Sequence, residues 1–221
     1  MTIKLHDPHV RYTAEEYDRF TATVIRPFDE AFAPVVAQQT RKRGPGAVLL
    51  DVGTGTARFL IHLAQAGLAD DVRLVGTDLF DDMLDQARRA AAAAGVAIDL
   101  RREDVHAMTL PDAFADVVVS RSTVHHWSDP AQAFREIDRV LKPGGVAFIV
   151  DVRRDAPAEA VAAFNALRRD AGLPPSVLDE KYTVAELRGF CTEAGLDGRC
   201  EYYTAEDGIA ALGVTIVIRS A

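Results

Sequence analysis

The 221-residue chain has little cysteine, a single tryptophan and no long apolar run. Its two cysteines, Cys191 and Cys200, are separated by eight residues and belong to no CxxC motif, so we expect reduced thiols rather than a metal site. No stretch approaches the roughly 20 apolar residues that cross a membrane, and no basic segment followed by an apolar one opens the chain. We therefore expect an intracellular, cytoplasmic protein that has no membrane partner.

Basic residues are also in deficit. The chain has 25 Lys and Arg against 33 Asp and Glu, for a formal net charge of -8. That balance opposes binding to a polyanion along a broad surface, so we expect no nucleic-acid partner. The length fits one domain of ordinary size with a substantial core, and nothing in the sequence indicates an oligomeric state.

The chain is organised around residues 48–60, where a continuous apolar run meets a glycine-rich turn and then resumes with helical spacing. Such runs are typical of buried parallel strands. Gly53 and Gly55 permit a tight turn and the close approach of a ligand to the backbone. Phe59 and Leu60 begin a helix whose N-terminus points back at the loop, where free N–H groups favour a negative group. The stretch therefore predicts a strand, a ligand-binding loop and a helix.

Spacing narrows the class of ligand. The phosphate loop of nucleotide hydrolases requires Lys and then Ser or Thr after its last glycine, and that pair is absent. A dinucleotide fingerprint places glycines at the first, third and sixth positions. Gly53 and Gly55 fit it, but the sixth position is Arg58. The spacing therefore disfavours NAD and FAD.

A different pattern fits the loop: an acidic residue, alternating glycines and a small residue, followed by a second strand that ends in an acid. Asp51, Gly53, Gly55 and Ala57 supply the first part, and Asp78 supplies the second. At this point the chain resembles the class I S-adenosylmethionine-dependent methyltransferases, in the small-molecule branch. The resemblance covers about residues 48–151, and its later motifs follow in order at residues 102–105, 115–120 and 139–146. The chain departs from the family at Ala57, where a third glycine is frequent.

The order of strand and helix patterns predicts an α/β fold. Strands are predicted up to residue 51 and at residues 72–78, 96–101, 115–120 and 146–151, with helices up to about 66 and at about 80–94 and 130–141. Helices at about 156–171 and 183–194 and β-rich runs at 199–204 and 212–219 follow. Alternation of this kind implies a mostly parallel sheet with helices on both faces. The resemblance implies a Rossmann-like seven-stranded sheet with an antiparallel final strand, in a hairpin at the sheet edge.

The N-terminal segment, residues 1–43, is predicted to be helical and separate from a methyltransferase domain at residues 44–221. A capping box at residues 13–16 predicts a helix start, and Pro27 is expected to end that helix before a second one at about 28–41. In the resembled family such a segment is a lid over the cofactor pocket and helps to form the substrate site. Aromatic residues at helical spacing are also typical of core packing. The candidates to reach the substrate are Tyr12, Tyr17 and Phe20.

The resemblance implies a set of cofactor contacts. Asp78 would accept hydrogen bonds from both ribose hydroxyls, a role that suits a carboxylate, although an ordinary helix cap is the alternative. Asp104 would accept from the adenine amino group while the N–H of Val105 faces a ring nitrogen. Leu79 and Met83 would flank the ring, although a lone Met on a helix is usually packing. The implied cofactor set is Asp51, Gly53, Gly55, Asp78, Leu79, Met83, Asp104, Val105 and Ser120.

The end of the fourth strand separates methyltransferase types. Ser120 and Arg121 lie where the family places the methionine part of the cofactor and the transferred methyl. The Asn/Asp-Pro-Pro-aromatic motif of enzymes that methylate nucleobase amines is absent there, and neither cysteine follows a proline as in the cytosine C5 type. The aspartate of the magnesium-dependent catechol type is also missing from this strand end. No catalytic metal is therefore implied.

His125 and His126 are the candidate catalytic residues. Methyl transfer from a sulfonium is an in-line displacement, in which the protein holds the reactants together and removes a proton if the acceptor carries one. An imidazole with a pKa of about 6.5 can do this at neutral pH. The alternative is a structural role, with one ring packed beneath the sheet end. Because adjacent residues of an extended segment point in opposite directions, we expect only one of the two to face the pocket.

Arg121 and Arg153 follow the fourth and fifth strands. With Tyr17 they are the candidate substrate-binding residues, and they predict a small acceptor that carries a carboxylate or a similar anion, since guanidinium groups suit planar anions. Ordinary surface ion pairs with Asp151 and Asp155 are the alternative.

Taken with the resemblance, these patterns predict methyl transfer from S-adenosylmethionine to oxygen, nitrogen or carbon of a small molecule, with S-adenosylhomocysteine as product. A scaffold or partner subunit that binds the cofactor without methylating stays open. A nicotinamide oxidoreductase is disfavoured by Arg58 and by the lack of a Tyr-x-x-x-Lys pair.

Overall fold

The computed structural model describes residue 17 and residues 20–221, and within this range seven strands form one sheet. The strands are β1 (Val48–Val52), β2 (Arg73–Asp78), β3 (Asp99–Arg102), β4 (Ala115–Arg121), β5 (Leu141–Val152), β6 (Cys200–Tyr203) and β7 (Gly213–Arg219). The α-helices are α1 (Arg26–Arg43), α2 (Arg58–Gln65), α3 (Asp81–Ala94), α4 (Pro130–Val140), α5 (Ala158–Asp170) and α6 (Val184–Glu193). A π-helical turn, Thr21–Ile25, precedes α1, and 3₁₀ turns cover Val124–His126 and Ile209–Leu212.

The strand order across the sheet is β3, β2, β1, β4, β5, β7, β6. The first five strands are parallel, while β7 runs antiparallel to both β5 and β6. This arrangement confirms the predicted Rossmann-like sheet and its antiparallel ending. The order in which successive strands are added to the sheet reverses between β1 and β4, so the loops that follow these two parallel strands open toward one crevice, the usual ligand position in such sheets. No helix among the described residues is long and apolar enough to cross a membrane.

Helices cover both faces of the sheet, and the residues of β1 show how. Leu49 packs in a cluster with apolar residues of α1 and α2, whereas Val48 and Leu50 pack on the other face with α4 and α6. All five residues of β1 are buried. A strand buried on both faces needs a continuous apolar run, which is the pattern that identified β1 in the sequence.

The N-terminal helix differs from its prediction. The π-helical turn continues directly into α1, so Pro27 does not interrupt the helical path. Pro27 lies in the first turn of α1, where its missing N–H leaves no intrahelical bond unmade. Phe32 of α1 stacks on Phe59 at a centroid distance of 5.6 Å, so α1 belongs to the helical layer on the sheet. Residues 13–16 and Tyr12 lie outside the described residues, and the lid and the domain boundary at 43/44 stay predictions.

Hydrogen bonds at two helix ends determine where the neighbouring elements begin. The predicted strand at 96–101 begins only at Asp99, because the N–H of Val96 bonds back to the Ala91 carbonyl and completes the C-terminal cap of α3. At the start of α6, Thr183 and Glu186 form a capping box. The Thr183 hydroxyl accepts from the Glu186 N–H, and the Glu186 carboxylate accepts from the Thr183 N–H.

Candidate active site

A cavity of about 270 Å³ opens at the carboxyl ends of the parallel strands. One wall comes from the loops after β1, β2 and β3, and the facing wall comes from the segment after β4 and from α5 with the loop that follows it. Tyr17, Phe20 and Asp29 also line it. The sequence-predicted residues that line this cavity are Tyr17, Gly53, Gly55, Asp78, Leu79, Met83, Asp104, Val105, Arg121, His125 and His126.

The loop between β1 and α2 is fixed by left-handed backbone conformations. Gly53 and Gly55 have φ of 71° and 55°, values that favour glycine. A Cβ on Gly53 would lie 2.5 Å from Cγ2 of Thr123, and one on Gly55 would lie 3.1 Å from the Tyr17 ring. Ala57 also has φ of 58°, which explains why a glycine suits its position. The close approach of Thr123 to Gly53 joins the loop to the segment after β4.

Asp78 closes β2 and turns its half-buried carboxylate toward the cavity. Its Oδ2 accepts from the Gly55 N–H at 2.9 Å, and its Oδ1 accepts from the Phe80 N–H at 3.0 Å. Burial raises the pKa of Asp78 despite these bonds. Since a carboxylate has about four acceptor positions, Asp78 can still accept from a neighbouring pair of hydroxyls.

Asp51 lies behind the loop rather than in the cavity lining. Its buried carboxylate accepts from the Thr54 hydroxyl at 2.9 Å, so it holds the loop from inside. Burial raises the pKa of Asp51 to about 6, and the nearby charges of Asp29 and Asp78 act in the same direction while Arg121 opposes them. Its place is therefore structural, one layer below the surface that a ligand would touch.

Asp104 follows β3 and is hydrogen-bonded to His106, a residue that the sequence analysis did not identify. Its Oδ1 accepts from the backbone N–H of His106 at 2.9 Å and lies 2.6 Å from His106 Nδ1, and these bonds lower the pKa of Asp104. His106 Nε2 accepts from the Asp129 N–H at 3.2 Å, so the proton of the neutral ring is on Nδ1. Both bonds use Oδ1. Oδ2 of this half-exposed carboxylate can therefore accept a hydrogen bond from a donor in the cavity.

The end of β4 contains one residue that braces the sheet and one that faces the cavity. Ser120 is fully buried, and its hydroxyl donates to the Val52 carbonyl at 2.7 Å, so it ties β4 to β1 and does not line the cavity. Arg121 is ion-paired through Nη1 with Asp29 of α1, and its guanidinium carbon lies 4.2 Å from the Phe59 ring centroid. Asp29 was not identified from sequence, because no pattern relates residues 92 positions apart.

His125 and His126 both line the cavity, which corrects the expectation that only one would face it. The segment is a 3₁₀ turn rather than an extended strand, so successive side chains do not point to opposite sides. The two rings lie side by side, with centroids 3.9 Å apart. Trp127 behind them is buried and packs edge-on against Phe134.

His125 is held by a buried carboxylate. Its Nδ1 lies 2.9 and 3.0 Å from the two carboxylate oxygens of Asp151 at the end of β5, and its backbone N–H also points to Asp151. Both side chains are less than a tenth exposed. Burial would raise the pKa of Asp151, but the charge and hydrogen bond of His125, with Lys181 and the Val152 N–H, hold it below its usual range. Asp151 is the last residue of the strand predicted at 146–151, and this position at the carboxyl edge of the sheet is the feature of the sequence that could have identified it as a site residue.

Arg153 does not line the cavity. Its Nε donates to the Ala211 carbonyl at 3.2 Å, and its Nη1 lies 3.7 Å from Asp155, which matches the ion pair considered as the alternative. Arg154 pairs with Glu186 of α6. The prediction that Arg153 lies at the ligand edge with Arg121 is therefore wrong. The basic residues that line the cavity besides Arg121 are Arg58, Arg168 and Lys181.

The comparison with known proteins agrees with this geometry. Residues 50–149 match a family profile described as a methyltransferase domain. A demethylmenaquinone methyltransferase of Deinococcus radiodurans is 31% identical over 156 residues, which cover 71% of this chain and 62% of that protein. This chain spans less than two thirds of the length of the curated relatives that it matches first.

Solved structures show the same fold. A putative S-adenosylmethionine-dependent methyltransferase of Methanococcus maripaludis superposes with a TM-score of 0.68 at 24% identity, covering 94% of this chain and 92% of that one. The (4+2)-cyclase SpnF superposes with a TM-score of 0.64 at 19% identity, covering 87% and 80%. Residues 50–149 thus resemble the methyltransferase-domain family, on a chain that shares its fold with solved S-adenosylmethionine-dependent methyltransferases.

Proposed function

We propose that this protein transfers the methyl group of S-adenosylmethionine to a small-molecule acceptor. One observation carries the proposal: a single cavity is lined on one wall by the Asp78 carboxylate beside a glycine loop and on the other by His125, which is backed by buried Asp151. The first wall suits a nucleoside, and the second suits removal of a proton.

The residues on the first wall fit the cofactor. The Asp78 carboxylate, already bonded to two backbone amides, has acceptor positions left for the two ribose hydroxyls. Asp104 offers Oδ2 to an amino group such as that of adenine, and the adjacent Val105 lines the same part of the cavity. Leu79 is exposed while Met83 is buried, so the two offer apolar contact at different depths. When bound, the cofactor supplies an electrophilic methyl on a positively charged sulfur.

On the second wall we assign the general base to His125. Because Asp151 accepts from Nδ1, the ring is held in the tautomer whose Nε2 carries a lone pair, and Nε2 can take a proton. The same carboxylate stabilises the imidazolium that results. His126, whose ring is tilted against that of His125 at a centroid distance of 3.9 Å, forms part of the acceptor surface and is the alternative base. An O–H or an acidic C–H acceptor would use this group, since either must lose a proton to be methylated.

The two arginines on which the prediction of an anionic acceptor was based do not form the expected site. Arg153 points away from the cavity and Arg121 is committed to Asp29, so neither is placed as the anion site that the sequence predicted. The acceptor surface proposed instead is the part of the lining to which Tyr17, Phe20 and Phe164 contribute aromatic rings, with the Arg168 guanidinium 5.3 Å from the Phe20 ring and 5.7 Å from the Phe164 ring. This surface favours an acceptor with aromatic character.

Two measurements in sequence test the proposal. Calorimetry with S-adenosylmethionine and S-adenosylhomocysteine should show binding in the micromolar range. Incubation with the labelled methyl donor and a panel of phenols, amines and acidic-carbon metabolites should then show transfer to at least one acceptor. Binding without transfer across the panel, together with an effect on a partner protein or a cyclisation, would support the scaffold alternative. Absence of binding would refute both.

A further inference from the structure

Cys191 and Cys200 lie between α6 and the antiparallel end of the sheet, and neither lines the cavity. Both are free thiols. Cys191 is in the last turn of α6 and is 2% exposed, whereas Cys200 is the first residue of β6 and is partly exposed. The chain has two cysteines, so within one molecule each thiol has one possible thiol partner.

The turn between α6 and β6 brings the two residues to the same end of this helix–strand pair. The Leu196 N–H donates to the Cys191 carbonyl at 2.9 Å, and the Arg199 N–H donates to the Leu196 carbonyl at 3.0 Å. The Arg199 guanidinium is fixed by two bonds of 2.7 and 2.8 Å to the Asp138 carboxylate of α4. The start of β6 is therefore held next to the end of α6.

The side chains of the two cysteines also lie on the same face. Cys200 and Tyr202 are partly buried in the cluster that contains Cys191, while the other two residues of β6 are exposed. On this face the Arg188 guanidinium carbon lies 4.1 Å from the centroid of the Tyr202 ring. Cys191 follows Arg188 by about 4.5 Å along α6, and Cys200 precedes Tyr202 by about 7 Å along β6. Because these steps are similar, Cys191 and Cys200 meet beside the Arg188–Tyr202 contact.

The two thiols differ in ionisation and access. The hydrogen bond that they share raises the pKa of Cys191, and burial adds to that effect. The same bond lowers the pKa of Cys200 despite its partial burial, and Tyr202 and Arg199 act in the same direction. A thiolate is the nucleophile in oxidation chemistry, so the more exposed Cys200 reacts first and Cys191 is the second thiol.

We propose that Cys191 and Cys200 form a reversible disulfide between α6 and β6, with hydrogen peroxide as the oxidant. The Cys200 thiolate attacks one peroxide oxygen, the O–O bond breaks, and the departing hydroxide takes a proton to become water, which leaves Cys200 as a sulfenic acid. The Cys191 sulfur then attacks the Cys200 sulfur. The S–S bond forms, the S–O bond breaks, and hydroxide leaves as water with the Cys191 proton. Two thiols and one hydrogen peroxide thus give one disulfide and two waters, and a dithiol reductant reverses the reaction by exchange.

The test treats the reduced protein with hydrogen peroxide and counts its thiols after denaturation. Both thiols should disappear together, and the intact mass should fall by two hydrogen atoms. The protein should remain monomeric on non-reducing electrophoresis, and a dithiol reductant should restore both thiols. These measurements use the protein without cofactor or acceptor, so their outcome is independent of the proposed function.

Two variants, each lacking one sulfur, are matched controls for the order of reaction. Cys191→Ala should still react at Cys200 but stop at the sulfenic acid, which dimedone traps. Cys200→Ala should react with peroxide at least about 10-fold more slowly than the unmodified protein, because the remaining thiol is buried and protonated. Since Cys191→Ala removes a buried sulfur, its folding is checked by melting, and the unmodified protein and Cys200→Ala decide the outcome should it unfold.

Three results would overturn the proposal. The first is addition of oxygen to the unmodified protein without loss of the two hydrogens. The second is a disulfide that links two chains in place of the bond within one chain. The third is a Cys200→Ala variant that reacts as fast as the unmodified protein, since Cys200 would then not be the attacking thiol.

Discussion

The wall formed by the loops after β1, β2 and β3 meets the cavity with backbone amides and the carboxylates of Asp78 and Asp104. The wall formed by the segment after β4 and by α5 with its following loop meets it with side chains that are held by distant partners. In the first wall, the Asp78 carboxylate is bonded to amides two and 23 positions away. In the second, Arg121 is held by Asp29, 92 positions away, and His125 by Asp151, 26 positions away. Backbone geometry therefore governs one wall and side-chain pairing the other.

This difference has a functional meaning. A nucleoside offers the same hydroxyls and ring edges to every protein that binds it, so a loop of fixed backbone geometry suffices. An acceptor differs from one methyltransferase to another, and side chains from several elements can change it without changing the loop. Substitutions on the first wall should alter cofactor affinity and loop stability, and those on the second should alter turnover.

The largest effect should follow from His125→Ala. Loss of a general base lowers turnover by about 10²- to 10⁴-fold, while the cofactor dissociation constant should change little, because His125 is assigned to the acceptor wall. Turnover is measured with the acceptor found in the panel, and cofactor affinity by calorimetry. His126→Ala is the matched control and should lose much less. A larger loss in His126→Ala than in His125→Ala would move the base to the neighbouring ring.

Gly53→Ala should have the next largest effect, and it tests whether the two walls are coupled. The substitution places a methyl against Thr123 and forces alanine into a left-handed conformation. Each of these costs about 1–3 kcal/mol of folding free energy. Thr123→Ser removes the clashing methyl but keeps the hydroxyl that lies 2.5 Å from Ser120 Oγ. The double variant should therefore recover part of the loss in chemical denaturation, and no recovery would show that strain alone explains it.

Much of this fold could be predicted from the sequence, because parallel strands buried on both faces require continuous apolar runs such as those of β1 and β4. The glycine loop after β1 and the acid that ends β2 could also be predicted, because each depends on residues that are close together in the sequence. The pairings Arg121 with Asp29 and Asp151 with His125 could not, since they join elements that only the folded sheet brings together. The 3₁₀ turn at His125 was missed because nothing in the sequence distinguishes it from an extended loop.

Asp78→Asn tests whether the first wall binds the ribose of the cofactor. Asparagine has nearly the same shape but only one acceptor oxygen, so the hydrogen bonds expected from the ribose hydroxyls are weakened. Cofactor affinity should fall about 10- to 150-fold, the equivalent of about 1.5–3 kcal/mol for bonds to a charged group. Asp81→Asn, at an exposed position at the start of α3, is the control and should bind normally in the same calorimetric titration. Equal affinity in the Asp78 variant would remove the ribose ligand from this wall.

The smallest effect concerns Asp51, which supports the first wall from below. Its pKa is raised by burial to about 6 from an ordinary value of 3.8, so the folded protein binds a proton on Asp51 more readily than the unfolded chain does. The contribution of this group to stability is therefore greatest below pH 3.8 and is lost as the pH rises through about 6.

Asp51→Asn should stabilise the ligand-free protein by about 1–2 kcal/mol at pH 8, somewhat below the value for a full two-unit shift, because asparagine accepts the Thr54 bond less strongly. The gain should shrink toward zero by pH 4. Denaturant unfolding of both proteins across this range measures it, and the titrating groups that do not interact with Asp51 cancel in the difference. Asp99→Asn supplies the opposite sign, since hydrogen bonds from Arg101 and Arg73 lower the pKa of Asp99 and its replacement should not stabilise at pH 8. A pH-independent difference for Asp51→Asn would mean that the carboxylate beneath the loop is ionised throughout, and that the loop is held by a charge rather than by a shared proton.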